Sequence, residues 1–255
     1  DHYGESEALN QRPQKVIKIA SYFFDGIFSV NQKLKEWAQQ KLNCRTVAYI
    51  KNFNQSKPVS HKNKLRSSLL KESSSSFQIV HVANLRVQKD HLNALQAIKR
   101  LRAKNIQVNL HLIGAFQEDA CYHRIVEYIK TNNLEKNIFI YGSRPDVPDL
   151  LQQVNLGLLS SRSEGLPLSL LEYAKAGLPV VVTDVGQCKE VVGDNAQVVT
   201  KNDPDLLAKA IQYYFYNPMQ AKQDADCLSK KVEEEYGEEK IINSITEVYK
   251  KVLSG

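Results

Sequence analysis

Four cysteines, at positions 44, 121, 188 and 227, are too few and too scattered among 255 residues to suggest a zinc ribbon or a disulfide framework. A reducing cytoplasm is the expected setting. No apolar run approaches the roughly 18 residues of a membrane span, and the polar start Asp1-His2-Tyr3-Gly4 lacks the form of a signal peptide. No histidine pair has metal-ligand spacing, so a reaction without metal or cofactor is expected. A G-x-S-x-G elbow and a P-loop are missing too, which removes two common designs for hydrolysis and phosphoryl transfer. His81, His91 and His111 are scattered along strand and loop patterns and read as structural.

The apolar content of 42% is enough for a real core, and the net charge of +6 is unevenly placed. Residues 1–76 carry 13 Lys and Arg against 6 Asp and Glu, while the remainder carries 21 against 22. The basic segment suits solvated loops or contact with an anionic surface, including peripheral contact with a membrane. It shows no basic motif interleaved with aromatic residues, so nucleic acid is not an expected partner.

Along the chain, 15–20 offers a short alternating strand, 23–30 an apolar segment and 47–50 another strand. Between them, 31–42 carries Leu34, Trp37, Ala38 and Leu42 at helical spacing. Residues 55–76, with Pro58, many Lys and Ser and the run Ser73-Ser74-Ser75-Ser76, read as an exposed linker with one short helix near 65–70. From Phe77 the pattern becomes regular. Strands are predicted at 78–83, 108–113, 137–141, 154–159 and 179–183, with helices at 91–103, 119–131, 147–152 and 168–176 between them. Such alternation implies an α/β domain with a parallel sheet covered on both faces, binding its ligand beyond the carboxyl ends of the strands. Three helices follow, at 203–217, 219–236 and 238–253. The expected organisation is an N-terminal remnant at 1–54, the linker at 55–76, a Rossmann-like domain at 77–236 and a last helix at 237–255 that crosses back to the remnant.

The most informative stretch runs from Ser161 to Pro179, as strand, polar loop, helix, turn and strand. Glu164 stands in the loop, Pro167 suits the first helical position, Glu172 lies about one turn inside the helix, and Gly177 closes it. Free amides at the helix start suit a phosphate, and carboxylates suit sugar hydroxyls. Leu168, Leu170 and Leu171 read as core side chains, and Ser161 as trimming the loop. A second candidate is Asn84-Leu85-Arg86-Val87-Gln88-Lys89-Asp90, after a strand and before a helix, where Arg86 and Lys89 are spaced to clamp a diphosphate.

Together these features resemble the E-x7-E segment and phosphate loop of retaining GT-B glycosyltransferases, glycosyltransferase family 4, from about Ile79 onward. The resemblance implies a GT-B fold, and transfer of a sugar from a UDP- or GDP-sugar to a glycan or lipid-linked acceptor in bacterial surface polysaccharide synthesis. It gives Arg86 and Lys89 to the diphosphate, Glu164 to the sugar and Glu172 to the ribose hydroxyls. Backbone amides of Gly165 and Leu166 go to the sugar, and those of Leu168 and Ser169 to the phosphate. Asn84 occupies the usual Arg position, Asp90 the place of a glycine and Ala115 that of another. Arg144, after Gly142 and Ser143, is placed beside the base. Asp184-Val185-Gly186 and Glu190 match the family pattern and read as packing at a helix start. Two other readings stay open: a non-catalytic nucleotide-sugar-binding module, and a GT-B sugar-nucleotide 2-epimerase.

Overall fold

The computed structural model describes residues 11–51 and 76–254. They form two compact units, one within 1–55 together with 233–255, the other within 56–232. The predicted linker up to residue 75 and its short helix lie outside the described residues.

In the first unit, helix α1 (Gln11–Ala20) stands where the sequence predicts a strand at 15–20. The spacing of Val16, Ile17, Ile19 and Ala20 fits either period over so few residues, and the helix is the outcome. Strand β1 (Gly26–Ser29), helix α2 (Gln32–Lys41) and strand β2 (Thr46–Tyr49) follow. Asn31 caps α2 by accepting from Leu34 N at 2.8 Å. The two strands pair in parallel, Gly26 opposite Thr46. Helix α10 (Glu238–Leu253) packs Tyr249 edge-on against Phe28, with ring centroids 5.8 Å apart. Among the described residues no helix is long and apolar enough to cross a membrane.

The second unit alternates β3 (Phe77–Val82), α3 (His91–Ala103), β4 (Val108–Ile113), α4 (Ala120–Thr131), β5 (Ile138–Ile140), α5 (Val147–Leu151), β6 (Leu156–Leu159), α6 (Leu168–Lys175), β7 (Val180–Thr183), α7 (Cys188–Val192) and β8 (Gln197–Val199). Helix α8 (Pro204–Tyr216) then leads into α9 (Pro218–Tyr236). Strand β8 and helix α7 extend the predicted pattern. At three residues, half-exposed and carrying Gln197, β8 is too short to announce itself by an apolar run. Asp119 and Asp203 start α4 and α8 by accepting two backbone amides each.

All six strands are parallel, in the order β5-β4-β3-β6-β7-β8. The chain therefore winds one way from β3 and the other way from β6. Right-handed crossovers put α3 and α4 on one face and α6 and α7 on the other. Buried Ile79, Leu110, Leu112 and Leu158 of the sheet share the main core with Leu95, Ile98 and Leu101 of α3 and Leu207 and Ile211 of α8. At the switch between β3 and β6 the following loops leave in opposite directions, opening a crevice at the carboxyl edge.

Tyr173 of α6 sets the width of that opening. Strands β3 and β6 are in register at Ile79–Leu156 and Val80–Gly157. Beyond that, the buried Tyr173 hydroxyl accepts from Val82 N at 2.6 Å and lies 3.4 Å from the Leu158 carbonyl. Its ring covers Gly157 so closely that a Cβ there would stand 2.5 Å from a ring carbon. Burial raises the phenol far above its ordinary pKa, so it stays a neutral hydrogen-bonding wedge.

Candidate functional site

The loops after β3 and β6 meet at this crevice. Val87–Lys89 is a single 3-10 turn after the extended Arg86, and Lys89 N donates back to the Arg86 carbonyl at 2.9 Å. Lys89 Nζ donates to both carboxylate oxygens of Glu164, at 2.7 Å each, and Ser161 Oγ donates to Oε1 at 2.6 Å. The Glu164 side chain is only 5% exposed and that of Lys89 27%, so the carboxylate lies inside and the ammonium at the lip. A carboxylate taken out of water needs partners of this kind to stay charged.

The two loops are joined a second time. Arg162 donates from Nε and a terminal nitrogen to the two Asp90 oxygens at 2.7 and 3.0 Å, and its backbone N to the Gln88 carbonyl at 2.8 Å. Ser160 Oγ donates to the carbonyls of Lys89 and Asp90 at 3.1 and 3.0 Å.

Gly186 forms the floor beneath Glu164. Its φ is 54°, and a Cβ there would lie 2.7 Å from the Gly165 carbonyl oxygen and closer still to that of Glu164. Gln187 N donates to the Gly165 carbonyl at 3.0 Å. Gly186 thus shapes the Glu164 loop, a role beyond the helix-start packing read from sequence.

Pro167 occupies the N-cap of α6 in an extended conformation, one place before the predicted first helical position. Leu170 N donates back to the Pro167 carbonyl at 3.1 Å, while the amides of Leu168 and Ser169 precede any intrahelical acceptor. Leu170 and Leu171 are fully buried, but the Leu168 side chain is 40% exposed and is no core residue. Glu172 follows one turn inside, half-buried. Gly177 closes the helix as predicted: its N donates to Ala174, and Leu178 N to Tyr173.

The other predicted residues lie further along the same edge. The Asn84 carboxamide oxygen accepts from Ala115 N at 3.0 Å, tying the loop after β3 to that after β4. Arg86 is exposed. Arg144, after β5, is held in a two-point pair by Asp146 at 2.8 and 2.6 Å. The structure therefore brings Lys89 and Glu164 into contact and sets Arg144 two strands away. The D-x-D triplets Asp203-Pro204-Asp205 and Asp224-Ala225-Asp226 are engaged elsewhere: Asp203 caps α8, Asp205 pairs with Arg100, and Asp224 accepts from Tyr214 and Gln220. No group of three metal-ligating side chains occurs among the described residues.

Buried histidines stand behind the loops. His81 and His91 pack edge to face with ring centroids 4.5 Å apart, and Ser160 N donates to His81 Nε2 at 3.3 Å. His111 joins Tyr141 and Gln78 at 2.8 Å each. Burial, with the nearby His91 and Lys89 charges, holds His81 well below 6.5; burial lowers His91 and His111 to about 4. The unfolded chain binds protons at these histidines first, so stability is full above 6.5 and falls as pH drops towards 4. His91 and His111 should each cost about 2 kcal/mol near pH 5. Denaturant midpoints measured at neutral pH and near pH 5 check this, and an unchanged stability would contradict it.

Comparison with known proteins places the whole arrangement. Residues 61–231 match the family described as glycosyl transferases group 1. The chain belongs to that family. It is 26% identical over 177 residues to N-acetyl-alpha-D-glucosaminyl L-malate synthase of Bacillus anthracis, spanning 69% of this chain and 45% of that protein. It is 28% identical over 154 residues to the UDP-Gal:alpha-D-GlcNAc-diphosphoundecaprenol alpha-1,3-galactosyltransferase of Escherichia coli, spanning 59% and 37%. The chain thus matches less than half the length of either relative. Anabaena Alr3699/HepE, solved in complex with UDP and glucose, superposes with a TM-score of 0.83 at 21% identity, covering 97% of this chain and 69% of that one. The fold is therefore the α/β arrangement of GT-B glycosyltransferases, with a parallel sheet and flanking helices.

Proposed function

We propose that this chain is the donor-binding part of a retaining glycosyltransferase, which takes a sugar from a UDP- or GDP-sugar and passes it to a glycan or lipid-linked acceptor. Bacterial surface polysaccharide synthesis is the setting we infer. The observation that carries the reading is the Lys89–Glu164 pair at the strand switch point, beside the start of α6. The likeness to a protein solved with UDP and glucose, and to relatives named as glycosyl-transferring enzymes, supports it.

In this reading the diphosphate lies between Lys89 and the amides of Leu168 and Ser169, with Arg86 adding charge from the rim. Glu164, Gly165 and Leu166 orient the sugar, Glu172 accepts from the ribose hydroxyls, and Asn84 and Arg144 complete the donor side. The bond from the anomeric carbon to the diphosphate breaks as the acceptor oxygen bonds to that carbon on the same face. The hydroxyl proton passes to the departing phosphate. Preorganised positive charge at the leaving oxygen is where the protein lowers the barrier, and no metal or cofactor is assigned a role.

Titration of the chain with UDP, GDP and their sugars tests the donor site. Binding of at least one nucleotide is expected, and indifference of the folded chain to all of them would sink the proposal. Glu172→Ala should weaken nucleotide binding by about tenfold or more, the value of hydrogen bonds to a charged acceptor. Glu164→Ala should act mainly on the affinity gained from the attached sugar.

A further inference from the structure

We propose that Asp90 and Arg162 are positioning residues, a clamp that holds Lys89 over the crevice at the point where a diphosphate would lie. The inference rests on the donor-site reading above and adds residues to it.

The first observation is conformational. Asp90 has φ 46° and ψ 51°, in the left-handed region that most side chains avoid. The other non-glycine residues with positive φ among those described are Asn105, Asn133 and Asn202. Asparagine tolerates this conformation at least as well as aspartate, so the backbone alone does not call for a negative charge at 90. The charge has another use. The Asp90 carboxylate, 4% exposed, receives the two-point Arg162 pair, although it heads α3 without capping it.

The second observation is topological. Asp90 adjoins Lys89, and Arg162 is two residues from Glu164. Each loop thus contributes one cation and one anion to two crossed pairs. Glu164 takes two of the three Lys89 N–H donors, so the ammonium must turn towards a phosphate when the donor binds. Asp90–Arg162 has no such duty and can keep the loops together throughout, aided by Ser160 on the Lys89 and Asp90 carbonyls and Arg162 N on Gln88. Planar two-point geometry resists the hinge motion that a single contact would allow.

Calorimetric titration of the full chain with UDP tests the clamp. Asp90→Asn keeps a residue suited to positive φ and removes the charge. Asp90→Gly removes the strain as well, and Arg162→Met removes the partner. Each is expected to weaken UDP by about tenfold, with Arg162→Lys recovering part of the loss. In a Lys89→Ala background, followed by ligand-observed NMR, the same changes should cost nothing further, because only a Lys89 to be positioned gives the clamp its effect. Thermal midpoints show whether each variant is folded; should Asp90→Asn unfold, half-exposed Arg162 carries the test. Wild-type affinity in the folded variants, or losses fully additive with Lys89→Ala, overturns the clamp alone. Should UDP not bind, GDP takes its place in the titration, and failure of the wild-type chain to bind either overturns the donor reading and the clamp with it.

Discussion

Lys89→Ala should lower donor affinity by about ten- to a hundredfold, and transfer by the enzyme containing this domain by about a hundred- to a thousandfold. The first range is the value of hydrogen bonds to a charged group. The second is what loss of one preorganised transition-state donor costs. The ammonium is the group that can offer full charge to a leaving diphosphate from the lip of the crevice, where Glu164 holds it, whereas Arg86 is exposed. The same change removes the main cationic partner of Glu164, whose side chain is 5% exposed. Stability should therefore fall as well, by about 2 kcal/mol, short of a fully buried pair because the Lys89 side chain keeps 27% exposure. Pairing Lys89→Met with Glu164→Gln separates the two effects. Denaturation should show stability largely restored, while titration shows nucleotide affinity still lost. Unimpaired donor binding by either Lys89 variant would remove the ammonium from the site.

Gly186→Ala should have a large structural effect on the crevice. A left-handed conformation at φ 54° costs a residue with a Cβ about 1–2 kcal/mol. The methyl would also overlap the carbonyls of Glu164 and Gly165, which are backbone and cannot swing aside. Relief requires moving the Glu164 loop, the Gln187 N to Gly165 hydrogen bond and, through them, the Lys89 partner. A destabilisation of about 4 kcal/mol or more is expected, at the diagnostic end of single-residue effects, with donor binding lost in whatever protein remains folded. Circular dichroism melting and UDP titration of the variant measure both. An unchanged midpoint with unchanged affinity would show that 186 does not support the loop.

These two positions illustrate different degrees of legibility. Lys89 is visible because it follows an apolar strand and precedes an apolar helical pattern, a place where local periodicity shows a phosphate-sized turn. Gly186 is visible as a family residue, but its reason is a contact with carbonyls more than 20 residues earlier. Asp90 is readable as a departure from the family glycine and not as a partner of Arg162, because pairing across 72 residues leaves no periodic trace. Nothing in the sequence singles out Tyr173. Its hydroxyl becomes a wedge only once β3 and β6 are adjacent.

Alone, the sequence determined the alternation of strands and helices, the E-x7-E frame with its closing Gly177, and the loops that carry the candidate residues. Each of these is set by contacts within a few residues: apolar spacing, caps and turns. The tertiary structure alone decided the order β5-β4-β3-β6-β7-β8, the crevice at its switch point and the meeting of Lys89 with Glu164 there. It also turned the predicted strand at 15–20 into a helix and added the short edge strand β8. Such features depend on which strands become neighbours, and that is governed by burial of the whole sheet between two helical layers, not by any local run of residues.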